Sequence, residues 1–191
     1  MTATTSLEVW TGGSSGSVGS KTDVSNMRFR TDDSPSTIDT TNPIKIPDSG
    51  INQSFWVSLA MNWSGTYDEI SNIRFYTDGS LSMSLGTDGQ IVIGSRDSGD
   101  IGCPENSYEP ATGTVGETGD DLGSTHAYYS GQSTPEDDAF TYTSGSPAQI
   151  DSNTYTTDGS SYAAVLQVDV DTDASAGIQT SETFTFLYDE I

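Results

Sequence analysis

The sequence predicts an all-β fold: one β-sandwich or jelly-roll-like domain with long acidic loops and an extended N-terminal segment. The first observation is period-two alternation. It is clearest in QSFWVSLAMNW, where Phe55, Val57, Leu59, Met61 and Trp63 alternate with Trp56, Ser58, Ala60 and Asn62. The second is the supply of Gly, Pro, Asn and Asp between such runs, which is turn chemistry. The third is that no segment holds a 3.6-residue period long enough for a substantial helix.

Residues 1–21 open with one strand, SLEVW, followed by TGGSSGSVGS, a Gly/Ser-rich arm that reads as a flexible or loop segment. The arm is expected to be dispensable for folding and needed for assembly. The remaining residues, 22–191, form the domain proper. SNMRFRT reads as a strand with Met27 and Phe29 on one face and Arg28 and Arg30 on the other. NPIKIPDSG is held extended by its prolines. SNIRFYT and SLSMSLGTDGQIVIGS read as strands joined by tight Asp-Gly turns. Residues 95–125 are poor in apolar side chains and rich in Gly, Pro and acids, which marks a long excursion of the functional, interfacial or mobile kind. STPEDDAF carries the start signals of a single helical turn, with Thr134 as cap and Pro135 first. SYAAVLQVDVD and SETFTFLYDE are the last two strands.

Charge narrows the choice of partners. The chain's 28 acidic residues against 6 basic ones leave a formal charge of −22, and its lysines are Lys21 and Lys45 alone. Such a field repels nucleic acid and anionic membrane, so neither is expected as a direct partner. The acids are scattered and the strands are ordinary. The acidity is therefore read as the coat of a protein from a high-salt cell, where self-repulsion is screened within a few ångströms. The competing reading is a surface for cations or basic partners. A single cysteine, Cys103, allows no disulfide within the chain. The opening MTATTSLEVW has neither a basic stretch nor an apolar core, so no signal peptide is expected and synthesis is placed in a host cytoplasm.

VSNMRFRTDD, residues 24–33, returns 46 positions later as ISNIRFYTDG, residues 70–79. Two copies are too few for a solenoid. The expectation is two equivalent strand edges whose arginines, Arg28, Arg30 and Arg74, pair with carboxylates. The proline-bounded strand, the aromatic strand and the ISNIRFYTDG element resemble a group of uncharacterised proteins of tailed phages and proviruses. The ending, from YAAVLQVDVD through TFTFLYDE, is similar too. The resemblance covers most of residues 42–95 and 160–191. It implies a virion structural role without catalytic residues, and the acidic loops suggest a haloarchaeal host.

Several residues could carry chemistry. Asp169, Asp171 and Asp173 match the first half of an EF-hand loop, but Ala174 and Thr180 stand where Gly and Glu belong, so a Ca²⁺ site there is the minor expectation. Glu117, Asp120 and Asp121, or Glu136 to Asp138, could also gather a hard cation. His126 stands alone near serines and acids, with no nucleophile elbow. No nucleotide-binding or metalloprotease motif is present, so no enzyme activity and no cofactor are expected. Asn52 and Asn62 fit the glycosylation sequon, with Asn62 in a core strand.

The function expected from these readings is a non-enzymatic subunit of a tailed virus particle, on the head, neck or tail. Its partners would be other virion proteins and copies of itself, with Trp10, Trp56, Arg28, Arg30 and Arg74 at the contacts. The alternative is an extracellular carbohydrate- or host-binding module, built on the tyrosines of YTSGSPAQIDSNTYTTDGSSY and HAYYSGQ. A Ca²⁺-stabilised enzyme is the third class.

Overall fold

The computed structural model describes residues 2–37, 40–97 and 99–191. In chain order its strands are β1 (Ala3–Ser14), β2 (Ser17–Val24), β3 (Ile51–Gln53), β4 (Val57–Gly65), β5 (Ile70–Tyr76), β6 (Gln90–Gly94) and β7 (Gly113–Thr114). There follow β8 (Thr118–Gly119), β9 (Glu136–Asp138), β10 (Ala148–Tyr155), β11 (Gly159–Ser160), β12 (Ala164–Asp171) and β13 (Thr185–Glu190). A large sheet runs β2-β1-β4-β12-β6-β9, with β11 added to β4 and β3 to β12. A small sheet runs β10-β5-β13. All pairings between these strands are antiparallel. The all-β expectation holds.

The two sheets face each other. Val9, Val57, Leu59, Ile91, Ile93, Leu166 and Val168 of the large sheet pack on Phe75, Ala148 and Ile150 of the small one. This is how alternating strands bury one face. The other face of the large sheet is buried as well. Trp56, Val92 and Val165 lie under Cys103, Leu122 and Tyr129, and Trp10 and Ala60 lie under Tyr108. Residues 101–129 are thus a folded cover rather than a loose loop. Cys103, Tyr108, Leu122 and Tyr129 are buried against the sheet while Val115 is exposed, and so few well-placed side chains are why low hydrophobicity misrepresents the segment. Gly94 shows how close the cover lies, because a Cβ there would sit 2.3 Å from the Tyr129 ring.

Four expectations are overturned. The Gly/Ser run is no arm: Gly13 pairs with Val18 and Thr11 with Ser20 in a hairpin, and β1 lies inside the sheet, between β2 and β4. β1 carries the buried Val9 and Trp10, so it belongs to the core. The repeat does not make two equal edges. Its second copy is β5, whereas residues 25–30 form no ladder. What the copies share is burial. Phe29 and Phe75 both meet Phe184, with ring centroids 6.4 and 5.6 Å away. Thr31 and Thr77 are both buried, donating to the Asn42 and Tyr142 carbonyls. Third, SLSMSL is irregular, and only Gln90–Gly94 of its segment is a strand. Last, the helical turn begins later than Thr134. Residues 136–138 pair with β6, and Asp138 caps the 3-10 turn Ala139–Thr141 by accepting from Phe140 N at 2.9 Å.

Candidate functional site

Strand β10 is broken by register shifts on both sides of Asp151. Bulges of this kind re-aim side chains, and here they turn a carboxylate inward. Asp151 is fully buried. Its Oδ1 accepts from Asn153 N at 3.0 Å and Asn153 Nδ2 at 2.9 Å. Its Oδ2 accepts from Tyr155 Oη at 2.8 Å and Tyr162 N at 3.0 Å. A buried carboxylate must be satisfied to be tolerated, and this one is satisfied by fixing two tyrosines. Burial, with the Asp151 bond next, pushes the Tyr155 phenol above its ordinary range. The Tyr155 ring also leans on Trp63, 4.9 Å between centroids, and the Trp63 indole donates to the Thr157 carbonyl at 3.1 Å.

Tyr155 and Tyr162 line an open hollow of about 460 Å³, together with Trp10, Glu105, Asn106 and Ser160. The opposite wall is set by the 3-10 turn Glu105–Ser107 of the cover. Glu105 Oε2 accepts from Lys21 Nζ at 2.7 Å, and that ammonium lies 5.1 Å from the Trp10 ring centroid. The Trp10 indole donates to Glu8 at 2.7 Å. Aromatic walls and exposed polar groups are thus brought together from β1, β10 and the cover.

Trp10 and Trp56 are 2% and 3% exposed, so both are engaged within the subunit and neither is a free surface anchor. Arg28 is exposed and donates to the Met27 carbonyl. Arg30 is buried, paired with Asp32 at 2.6 Å and bonded to Thr37. Arg74 pairs with Asp189 at 3.1 Å. Arg30 and Arg74 thus find carboxylates in their own chain.

Asp171 and Asp173 meet at the turn of residues 86–88, while Asp169 is directed to Gln90 of β6. Asp169 accepts from Gln90 Nε2 at 3.0 Å, Asp171 from Asp88 N at 3.2 Å and Asp173 from Thr87 N at 2.8 Å. They pin the turn before β6, and the Thr87 hydroxyl lowers the Asp173 pKa. Among the described residues, no three His, Cys, Asp or Glu side chains are gathered as a metal would need. Asp121 caps the helical turn Leu122–Thr125, while Glu117 and Asp120 are exposed. Glu136 is partly buried, and burial, reinforced by Asp121 and Asp169, raises its pKa to about 7. His126 is fully buried between Trp56 and Tyr129, and burial lowers its pKa to about 4. Asn52 and Asn62 are half-buried and donate to Lys45 O and Ser160 Oγ. No helix among the described residues is long and apolar enough to cross a membrane.

Of the tyrosines expected as a sugar platform, the structure joins Tyr155 and Tyr162 and separates the other group. Tyr129 is buried in the core, and Tyr128 carries Arg96 over its ring at 4.3 Å. Sequence reasoning missed Asp151. Its signal was the Asp-x-Asn spacing of an Asx turn, in which Asp151 accepts from the backbone two residues on. Compared with models of protein families, with curated proteins and with solved structures, the chain matches none.

Proposed function

We propose that this chain is a non-enzymatic structural subunit of a tailed virus particle from a high-salt environment, joined to other virion proteins and to copies of itself. One observation carries the reading. The two stretches that resemble phage and provirus proteins, residues 42–95 and 160–191, are far apart in sequence yet pair with each other in both sheets. β12 from the second stretch pairs with β3, β4 and β6 of the first, and β13 pairs with β5. Together they supply β3 to β6, β12 and β13 of the framework, which β1, β2, β9 and β10 complete.

Assembly would use the open sheet edges. β2 ends the large sheet and β13 the small one, and an unpaired edge is a template for another chain. With the tryptophans inside, anchoring falls to exposed apolar residues such as Leu187 and Ile191 beside the β13 edge, 38% and 71% exposed. Light scattering of the purified chain in about 2 M KCl, a salt level at which charge repulsion is short-ranged, tests this. A closed oligomer that Leu187→Glu dissociates is expected. A monomer at every concentration, in the wild type and in Leu187→Glu alike, would overturn the edge contact.

A further inference from the structure

We infer that the hollow between Tyr155, Tyr162 and Glu105 is a binding site for a neutral sugar residue of a glycan. The inference goes beyond the proposed virion role and does not rest on it, since a particle subunit and a free module could each carry such a site.

Three features support it. The first is preorganisation. One buried carboxylate, Asp151, fixes the Tyr155 hydroxyl at 2.8 Å and the Tyr162 backbone at 3.0 Å. Trp63 supports the Tyr155 ring from behind. A ring held as Tyr155 is loses little freedom on binding, which is where weak glycan affinity is usually lost. The paired register shifts around Asp151 interrupt the strand and turn its carboxylate toward Tyr155 and Tyr162.

The second is chemistry. A pyranose presents C–H groups on one face and hydroxyls at its rim. Aromatic walls suit the face, while Asn106, Ser160 and Glu105 offer amide, hydroxyl and carboxylate partners at the rim. Asn106 and Glu105 are exposed, with one carboxylate oxygen of Glu105 engaged by Lys21. A volume of about 460 Å³ is of the size that small ligands occupy.

The third is charge. The chain carries −22 overall, and the acid beside the hollow is Glu105, with Lys21 already paired to it. Acidic sugars would meet repulsion without a free cation to receive them, so the occupant is neutral.

Saturation-transfer NMR on the whole chain in about 2 M KCl tests the site. The probes are the methyl glycosides of glucose, galactose and mannose, with methyl glucuronide as the anionic comparison. At least one neutral probe is expected to bind saturably with Kd of about 0.1–10 mM, the range of weak single-residue sites. Methyl glucuronide should bind about tenfold more weakly at least, because its carboxylate would lose water in the hollow with Lys21 already paired to Glu105, a cost that salt does not screen. Tyr162→Leu and Asn106→Ala should each weaken binding by about fivefold or more. Asn106 is exposed, so Asn106→Ala leaves the fold intact and decides the matter should Tyr162→Leu unfold. The inference is overturned if no neutral probe binds up to about 50 mM, if the glucuronide binds equally well, or if Asn106→Ala binds like the wild type.

Discussion

Replacing Glu136 with Gln should change how stability depends on pH, and the structure sets the sign. In the folded chain Glu136 takes up its proton near pH 7, against an ordinary value of 4.5. Between these values the native state holds one more proton than the unfolded chain. Its contribution is therefore full below about pH 4.5 and is lost as pH rises through about 7. A rise of this size corresponds to about 3 kcal/mol, and partial exposure of the side chain reduces it to about 1–2 kcal/mol. His126 acts in the opposite sense: its pKa falls from 6.5 to about 4 on burial, so its contribution is present above about pH 6.5 and lost on acidification toward 4. In the wild type the two slopes oppose each other between about pH 4.5 and 6.5. Glu136→Gln removes one of them. Urea unfolding at constant high KCl should show the variant equal to the wild type near pH 4 and about 1–2 kcal/mol more stable near pH 8.5. A variant with no advantage at the higher pH would refute the reasoning, because Glu136 would then be well solvated when charged.

Three further outcomes are expected. Deleting residues 2–24 removes β1 and β2 with the buried Val9 and Trp10. That is a loss of about 5 kcal/mol from these two side chains alone, enough to abolish cooperative melting by circular dichroism. Asp151→Ala leaves the Tyr155 hydroxyl and the Tyr162 and Asn153 amides without their acceptor, and should cost about 3 kcal/mol or more in urea unfolding. With a charge of −22, the melting temperature should climb as KCl rises from about 0.1 to 2 M, while the Debye length shrinks from about 10 to below 3 Å. A salt-independent midpoint would remove the brine reading of the acidic coat.

The framework was legible where alternation is local. QSFWVSLAMNW announced β4, and VLQVDVD announced β12, because both faces of these strands repeat with period two. What eluded pattern reading depends on distant partners. TGGSSGSVGS looks like a linker, since glycine and serine carry no hydrophobic signal, yet the neighbouring Trp10 and Val9 lock the hairpin into the sheet. β10 was hidden because the bulges at Asp151 break its alternation. The doubled motif predicted equal strands. Its conserved element across the two copies is instead a Phe and a Thr that both reach the interior, and only one copy finds a ladder partner. For the hollow, the tyrosine-rich stretch pointed at aromatic walls. Glu105 and Asn106, from the cover, could be joined to them only by tertiary packing.

The central claim, that this chain is a building block of a virus particle, is tested most directly by peptide mass spectrometry of density-banded particles from its source culture. The chain is expected in the particle band, in copy numbers that keep a constant ratio to the major shell protein. Recovery of the chain in the particle-free fraction alone would contradict it.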